Sequence, residues 1–263
     1  MSTFPSAPLS IPRWIAHRGA GKRAPENTLA AFELGWQHGW RAFECDVKLS
    51  ADGVPFLLHD ATLERTTDGQ GVAGERPWAE LATLDAGSWH SPAYAGEPLL
   101  RLDTLVDWAL PRGAWLNLEI KPTPGTEAHT GRAVAEAVDR LWRRHGHGAP
   151  GGPAWPLLTS FRPEALLTAR DARPHLPRGL LLDSLWPGCW AVARQLQCVA
   201  VVLNHRLWTP ALVQQCRDEG WRLLTYTVND AERAATLLQW GLDGIITDAI
   251  DTLGPGGASH PSA

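Results

Sequence analysis

Strand-like and helix-like stretches alternate along almost the whole chain, and this limits the possible folds more than any other feature. Apolar runs of strand length fall at 14–17, 42–47, 115–121, 157–160, 179–183, 199–203, 222–228 and 243–247. Segments with helical spacing and helix punctuation lie among them. Leu29, Phe32 and Trp36 share one face of a stretch, 28–38, that stops at Gly39, and Val134, Val138, Leu141 and Trp142 share one face of another, 129–144. Thr209-Pro210 opens a helix that stops at Gly220, and Asp230 opens one that stops at Gly241. Strands joined through helices run parallel, because each crossover returns the chain to the same end of the sheet. A ninth run, 54–59, follows the turn signal Asp52-Gly53 and so pairs antiparallel with its predecessor as a hairpin arm. The remaining eight are the number that closes a (β/α)8 TIM-type barrel. An open doubly wound sheet is the competing architecture, but the Gly-rich dinucleotide fingerprint is absent.

Residues 60–102 break the rhythm. They are rich in Gly, Pro, Thr and Asp, with one short helical piece around 77–84, and read as an insertion forming a small lobe over one end of the barrel. The expected organisation is a flexible tail at 1–12, one barrel domain at 13–253 and a second flexible tail at 254–263.

Composition narrows the function. A 263-residue chain that is 44% hydrophobic has enough apolar surface for a substantial core, and much of its count of 14 Trp is expected there or in pocket walls. A net charge of −4 without a long basic run argues against nucleic acid as a main partner. No apolar run approaches the roughly 20 residues of a membrane span. The first residues lack the cationic start and apolar stretch of a secretory signal. Cys45, Cys189, Cys198 and Cys216 show neither metal nor redox spacing, so a reducing cytoplasm is the expected compartment.

Several charges interrupt apolar strands, where an unpaired charge costs several kcal/mol by rough estimates. In Phe43-Glu44-Cys45-Asp46-Val47 the apolar trio points one way and the two carboxylates the other, and 116–121 repeats that phase with Glu119. One acidic strand alone would read as surface ion pairing. Two in phase place Glu44, Asp46 and Glu119 together at the C-terminal mouth of a barrel, where barrel enzymes carry their sites. Three carboxylates without a thiolate suit a hard cation, Mg²⁺ or Ca²⁺, with Mn²⁺ as a further candidate.

His17 and Arg18 end the first strand, and Arg18 has the planar fork that fits phosphate oxygens. Glu26 and Asn27 precede a helix whose N-terminus favours an anion, so both are expected to bind the substrate, with Asn27 also expected as the helix N-cap. Lys121 adds a point charge beside Glu119. The hairpin arm ends at His59, which brings a second imidazole toward the strand of Glu44 and Asp46, with Asp60 placed to orient it. Two imidazoles, a divalent ion, an Arg and a Lys suffice to cleave a phosphodiester, one His accepting a proton from the nucleophile and the other donating one to the leaving alkoxide.

His17-Arg18-Gly19, Pro25-Glu26-Asn27-Thr28, Glu44-x-Asp46, His59-Asp60 and Glu119-Ile120-Lys121 occur in the order of the glycerophosphodiester phosphodiesterases, and Leu84 to Trp89 resembles that family's insertion. The likeness runs from Trp14 to about Gly254 and is nearest to the cytosolic bacterial members associated with glycerol-3-phosphate uptake. The resemblance implies a distorted (β/α)8 barrel that hydrolyses glycerophosphodiesters to sn-glycerol 3-phosphate and an alcohol. It implies Glu44, Asp46 and Glu119 as metal ligands, with Glu26 added in some members, His17 and His59 as the acid–base pair, and Arg18 and Lys121 on the phosphate. Trp89 and Tyr94, in the insertion, are expected to touch the glycerol or the leaving group. Competing readings are a lysophospholipase D or sphingomyelinase-D-like enzyme on the same barrel, a lyase or isomerase of another metal-dependent barrel superfamily, and a non-catalytic glycerophosphodiester-binding protein. The sphingomyelinase-D-like enzymes usually carry secretion signals and disulfides, a metal-dependent lyase would not pair its ligands with His17-Arg18, and a binding protein would be marked by the loss of a His or a carboxylate.

Overall fold

A computed structural model of the chain describes residues 10–149 and 151–255, so most of both expected tails lies outside the described residues. Eight strands run parallel around a closed ring: β1 (Trp14–Ala16), β2 (Ala42–Leu49), β4 (Trp115–Ile120), β5 (Leu157–Ser160), β6 (Arg178–Leu182), β7 (Ala200–Asn204), β8 (Arg222–Tyr226) and β9 (Gly244–Thr247). The ring closes where β1 lies between β9 and β2. Ile15 aligns with Ile246 on one side, and a single pair, Ala16 with Phe43, joins the other. That narrow seam is where the barrel departs from regularity. The ninth strand, β3 (Pro55–Leu57), is the antiparallel hairpin arm, with Val47 opposite Leu57.

Helices α1 (Leu29–Gln37), α3 (Leu102–Ala109), α4 (Glu127–Arg144), α5 (Pro163–Ala172), α6 (Cys189–Gln195), α7 (Pro210–Asp218) and α8 (Ala231–Gln239) connect successive parallel strands on the outside. Thr28, not Asn27, caps α1: its Oγ accepts from the Ala31 amide at 3.3 Å. The expectation for Asn27 fails because its backbone takes the left-handed conformation, φ 62°, whereas an N-cap residue is extended, as Thr28 is. Gly131 is required where α4 crosses α5, since a Cβ there would sit 2.1 Å from the Ala165 carbonyl oxygen.

The alternation of side chains separates two environments. Phe43, Cys45, Val47, Leu116, Leu118 and Ile120 face outward into the layer under the helices. Ile15, Ala42, Leu157, Leu181, Ala200, Val202, Leu224 and Ile246 face inward and fill the barrel, with Ile11 packed against them. Toward the C-terminal ends the inward positions turn polar, and the site begins there. Segment 60–102 carries α2 (Trp78–Leu81) and its own apolar cluster, in which Leu63, Ala73, Leu81, Ala86 and Leu99 pack on Phe56 and Leu58 of the hairpin arm. All four cysteines are buried free thiols. No described helix is long and apolar enough to cross a membrane.

Arg178 is a buried cation with a structural task. Its guanidinium donates to the carbonyls of Pro174 and Leu176 before β6 and of Leu196 and Gln197 after α6. Burial without a carboxylate partner brings its pKa down to about 10. Arg178→Met removes that buried charge but leaves buried carbonyls without a donor. The net loss is expected to be about 2–3 kcal/mol. Thermal unfolding is the check, and an unchanged midpoint would show that these bonds contribute nothing net.

Candidate active site

β2 and β4 are adjacent and parallel, and their register sets Glu44 beside Asn117 and Asp46 beside Glu119. One oxygen from each of Glu44, Asp46 and Glu119 lies within 4.8 Å of the others, and all three side chains are buried. Burial, together with the charges of Asp46 and Glu119, pushes Glu44 well above the usual carboxylate range. Glu119 is pushed up to about 7 by burial, against the pull of Lys121. Asp46 moves the other way: burial would raise it, but Arg18 and Lys121 hold it ionised.

Each expected residue has a defined place. His17 follows β1. Its Nδ1 lies 2.5 Å from Asp248 Oδ1, so Nδ1 carries the donated hydrogen and Nε2 faces Glu44 at 3.7 Å. His59 follows the hairpin arm, with its Nδ1 2.6 Å from Asp60 Oδ1. Burial and the nearby charges of Arg18 and Lys121 outweigh Asp46 and lower the His59 pKa. Arg18 reaches Glu26 at 2.8 Å and approaches Asp46 at 3.2 Å. Lys121 pairs with Glu119 at 2.7 Å and lies 3.4 Å from Asp46.

Arg18 (φ 53°) and Asn27 (φ 62°) both adopt left-handed backbone, a cost of about 1 kcal/mol or more each for residues other than glycine. The distortion closes a loop, with the Asn27 amide donating to the Arg18 carbonyl at 3.0 Å. It also turns both side chains onto Asp46. Asn27 Nδ2 donates to Asp46 Oδ2 at 2.8 Å, and the Asp46 amide donates back to Asn27 Oδ1 at 3.2 Å. Asp46 Oδ1 remains buried without a hydrogen bond among the described residues.

Two participants were not anticipated. Asp248, just past β9, holds His17 and is itself fixed by Asn229, whose Nδ2 donates to Oδ2 at 3.1 Å and whose Oδ1 accepts the Asp248 amide at 2.8 Å. The sequence signal was a Thr-Asp step ending the last apolar strand, too common to single out. Arg65, from the insertion, donates to both oxygens of Glu26 and both of Asp60. It thereby joins the support of Arg18 to the support of His59. Asp60 is held down at about 2, mainly by the Arg65 hydrogen bonds and then by His59, against burial.

These groups surround a cavity of about 200 Å³ lined by His17, Arg18, Glu44, His59, Glu119 and Lys121, with walls from Phe161, Leu181, Tyr226 and Ile246. Trp89 and Tyr94 do not line it. Trp89 is 39% exposed, and His90 sits edge-on to both rings at 5.7 and 5.4 Å. No residue of the insertion forms part of the cavity wall.

Comparison with known proteins identifies the family. The chain matches the model of the glycerophosphoryl diester phosphodiesterase family over residues 17–252. A glycerophosphodiester phosphodiesterase of Caldanaerobacter subterraneus subsp. tengcongensis is 31% identical over 245 residues, or 91% of this chain and 95% of that one. A phosphodiesterase of Oleispira antarctica, solved in complex with the product sn-glycerol-3-phosphate, superposes with a TM-score of 0.83 at 35% identity, covering 90% of this chain and 93% of that one. The glycerophosphodiester phosphodiesterase of Agrobacterium tumefaciens str. C58 superposes with a TM-score of 0.74 at 27% identity, covering 92% and 98%. With its barrel fold and nearly its full length matched, the chain belongs to the glycerophosphoryl diester phosphodiesterase family.

Proposed function

We propose that this cavity hydrolyses glycerophosphodiesters to sn-glycerol 3-phosphate and an alcohol by acid–base catalysis beside a divalent metal. One observation carries the reading: two imidazoles, each with a carboxylate on Nδ1, share a 200 Å³ cavity with two cations and with Glu44 and Glu119, behind which Asp46 completes a cluster of three buried carboxylates. The product bound to the Oleispira antarctica protein supports the same substrate class here. A protein that only bound the ligand would have no use for carboxylates behind both imidazoles.

Glu44, Asp46 and Glu119 fit a hard cation such as Mg²⁺, Ca²⁺ or Mn²⁺. All three offer oxygen, and Asp46 Oδ1 is a buried acceptor with no hydrogen bond to satisfy it. A divalent ion held there would neutralise phosphoryl charge and relieve the mutual repulsion of the carboxylates. Arg18 and Lys121 bind phosphoryl oxygens. His17 and His59 form the acid–base pair, with Asp248 and Asp60 orienting their rings. Glu26 and Asn27 are read as supports rather than substrate contacts, because their polar atoms are taken by Arg18 and Arg65 and by Asp46 respectively. Phe161 and Tyr226 supply the aromatic wall of the cavity, and Trp89 and Tyr94 lie outside it.

A coupled assay for released glycerol 3-phosphate is the direct test of the reaction. In that assay, chelation is expected to abolish turnover, and Mg²⁺, Mn²⁺ or Ca²⁺ to restore it to different degrees. Full activity of metal-stripped protein would remove the metal from the scheme.

His17→Ala and His59→Ala are each expected to lower kcat roughly 10²–10⁴-fold, the range for a lost general acid or base, while leaving the fold intact. A folded variant with near-normal kcat would make that histidine structural.

Arg65→Met is expected to lower kcat roughly 10–100-fold, as loss of an orienting partner does, with little change in the unfolding midpoint. Arg65→Lys should recover part of the loss. Unchanged kcat in Arg65→Met would show that the bridge between Glu26 and Asp60 has no bearing on catalysis.

A further inference from the structure

The layer above the carboxylates is cationic. Side chains alternate along a strand, so Lys48 follows Glu44 and Asp46 on the inward face of β2, as Lys121 follows Glu119 beyond β4. Lys48 is 1% exposed, and its ammonium donates to the Lys121 carbonyl at 3.0 Å. That contact uses one of its three hydrogens. Among the described residues neither Lys48 nor the exposed Arg162 forms an ion pair, in contrast to Lys121.

Lys48 and Arg162 both line a second cavity of about 300 Å³. It shares His59, Glu119, Lys121 and Phe161 with the active-site cavity, so the two meet at the proposed phosphoryl position. A diester held there with one arm in the first cavity passes its other arm beside His59 into the second. Apart from the His59 imidazole, the second cavity has one aromatic side chain, Phe161, and Lys121 Nζ already stands 5.6 Å from that ring. It offers no cage for a quaternary ammonium. Its one carboxylate, Glu119, belongs to the metal cluster and is paired with Lys121.

We propose that this second cavity is a subsite for the alcohol half of the substrate, selecting alcohols that carry a phosphomonoester. Lys48 supplies a fixed point charge from within, and Arg162 supplies a guanidinium suited to phosphate oxygens. Binding would also give the buried Lys48 ammonium a direct ion-pair partner. The inference rests on the hydrolase reading above and extends it from the reacting phosphorus to the leaving group.

The test compares kcat/KM of the metal-loaded enzyme for three diesters at low ionic strength: glycerophosphoglycerol, the same diester phosphorylated on its terminal glycerol, and glycerophosphocholine. The phosphorylated diester is expected to exceed the neutral one by about tenfold or more, with the choline diester within about tenfold of the neutral one. Arg162→Gln should cut the phosphorylated-to-neutral ratio severalfold, and so should Lys48→Met. Added salt should shrink the ratio through screening of the Arg162 contribution. Arg162 is exposed, so its variant is informative even if Lys48→Met fails to fold. Equal turnover of the phosphorylated and neutral diesters, or a ratio unaltered in Arg162→Gln, would overturn the subsite while leaving the hydrolase reading intact. Failure of the native protein to hydrolyse any of the three would overturn both.

Discussion

The structure is organised around the repulsion among three buried carboxylates. Two adjacent parallel strands in the register that sets Asp46 beside Glu119 bring like charges together where water is largely excluded. Left alone, such a cluster would push apart or take up protons. Much of the surrounding architecture answers this one problem. Arg18 and Lys121 supply countercharge, and Asn27 ties down one oxygen of Asp46 and accepts its amide. The strained left-handed backbone at Arg18 and Asn27 follows from the need to turn both side chains onto the same carboxylate. The oxygen left without a hydrogen bond, Asp46 Oδ1, marks the point from which a cation would be held.

The two histidines are treated alike although they come from distant parts of the chain. Each has its Nδ1 against an aspartate and is thereby fixed in one ring orientation. The supports differ in origin. Asp248 belongs to the barrel rim after β9 and is held by Asn229, so the first and last strands of the ring must close before His17 is oriented. Asp60 belongs to the start of the insertion and is held by Arg65, which also grips Glu26 behind Arg18. The insertion therefore supports the catalytic groups through Asp60 and Arg65 and does not wall the cavity that holds them. The walls are built from β-strand ends, Phe161 and Tyr226 among them.

A large part of this was legible in the chain. Strand phase alone placed Glu44, Asp46 and Glu119 on one face, because side-chain alternation is a local property of extended backbone. The antiparallel arm at 54–59 was legible because Asp52-Gly53 permits only a tight return. Strand limits came out within one or two residues of the structure, because each apolar run is itself a local pattern. Asn27 was misplaced as a helix cap, since its amide has two uses and only tertiary contact with Asp46 chooses between them. Trp89 and Tyr94 were expected at the site from their position in the insertion, but the lobe packs them around His90 instead.

The sequence by itself determined the alternation of elements, the number of parallel strands and the chemistry of the residues that meet at the mouth, because these depend on neighbours within a strand, a turn or a helix. Only the tertiary structure decided which groups stand behind them. Asp248 is 231 positions from His17, and Arg65 is 39 positions from Glu26. Lys48 reads locally as one more residue of a buried strand, and becomes the lining of a second cavity only when Arg162, from the segment after β5, is brought to the same opening. Such pairings follow from barrel closure and loop docking, whose driving force is burial summed over the whole core rather than any local pattern.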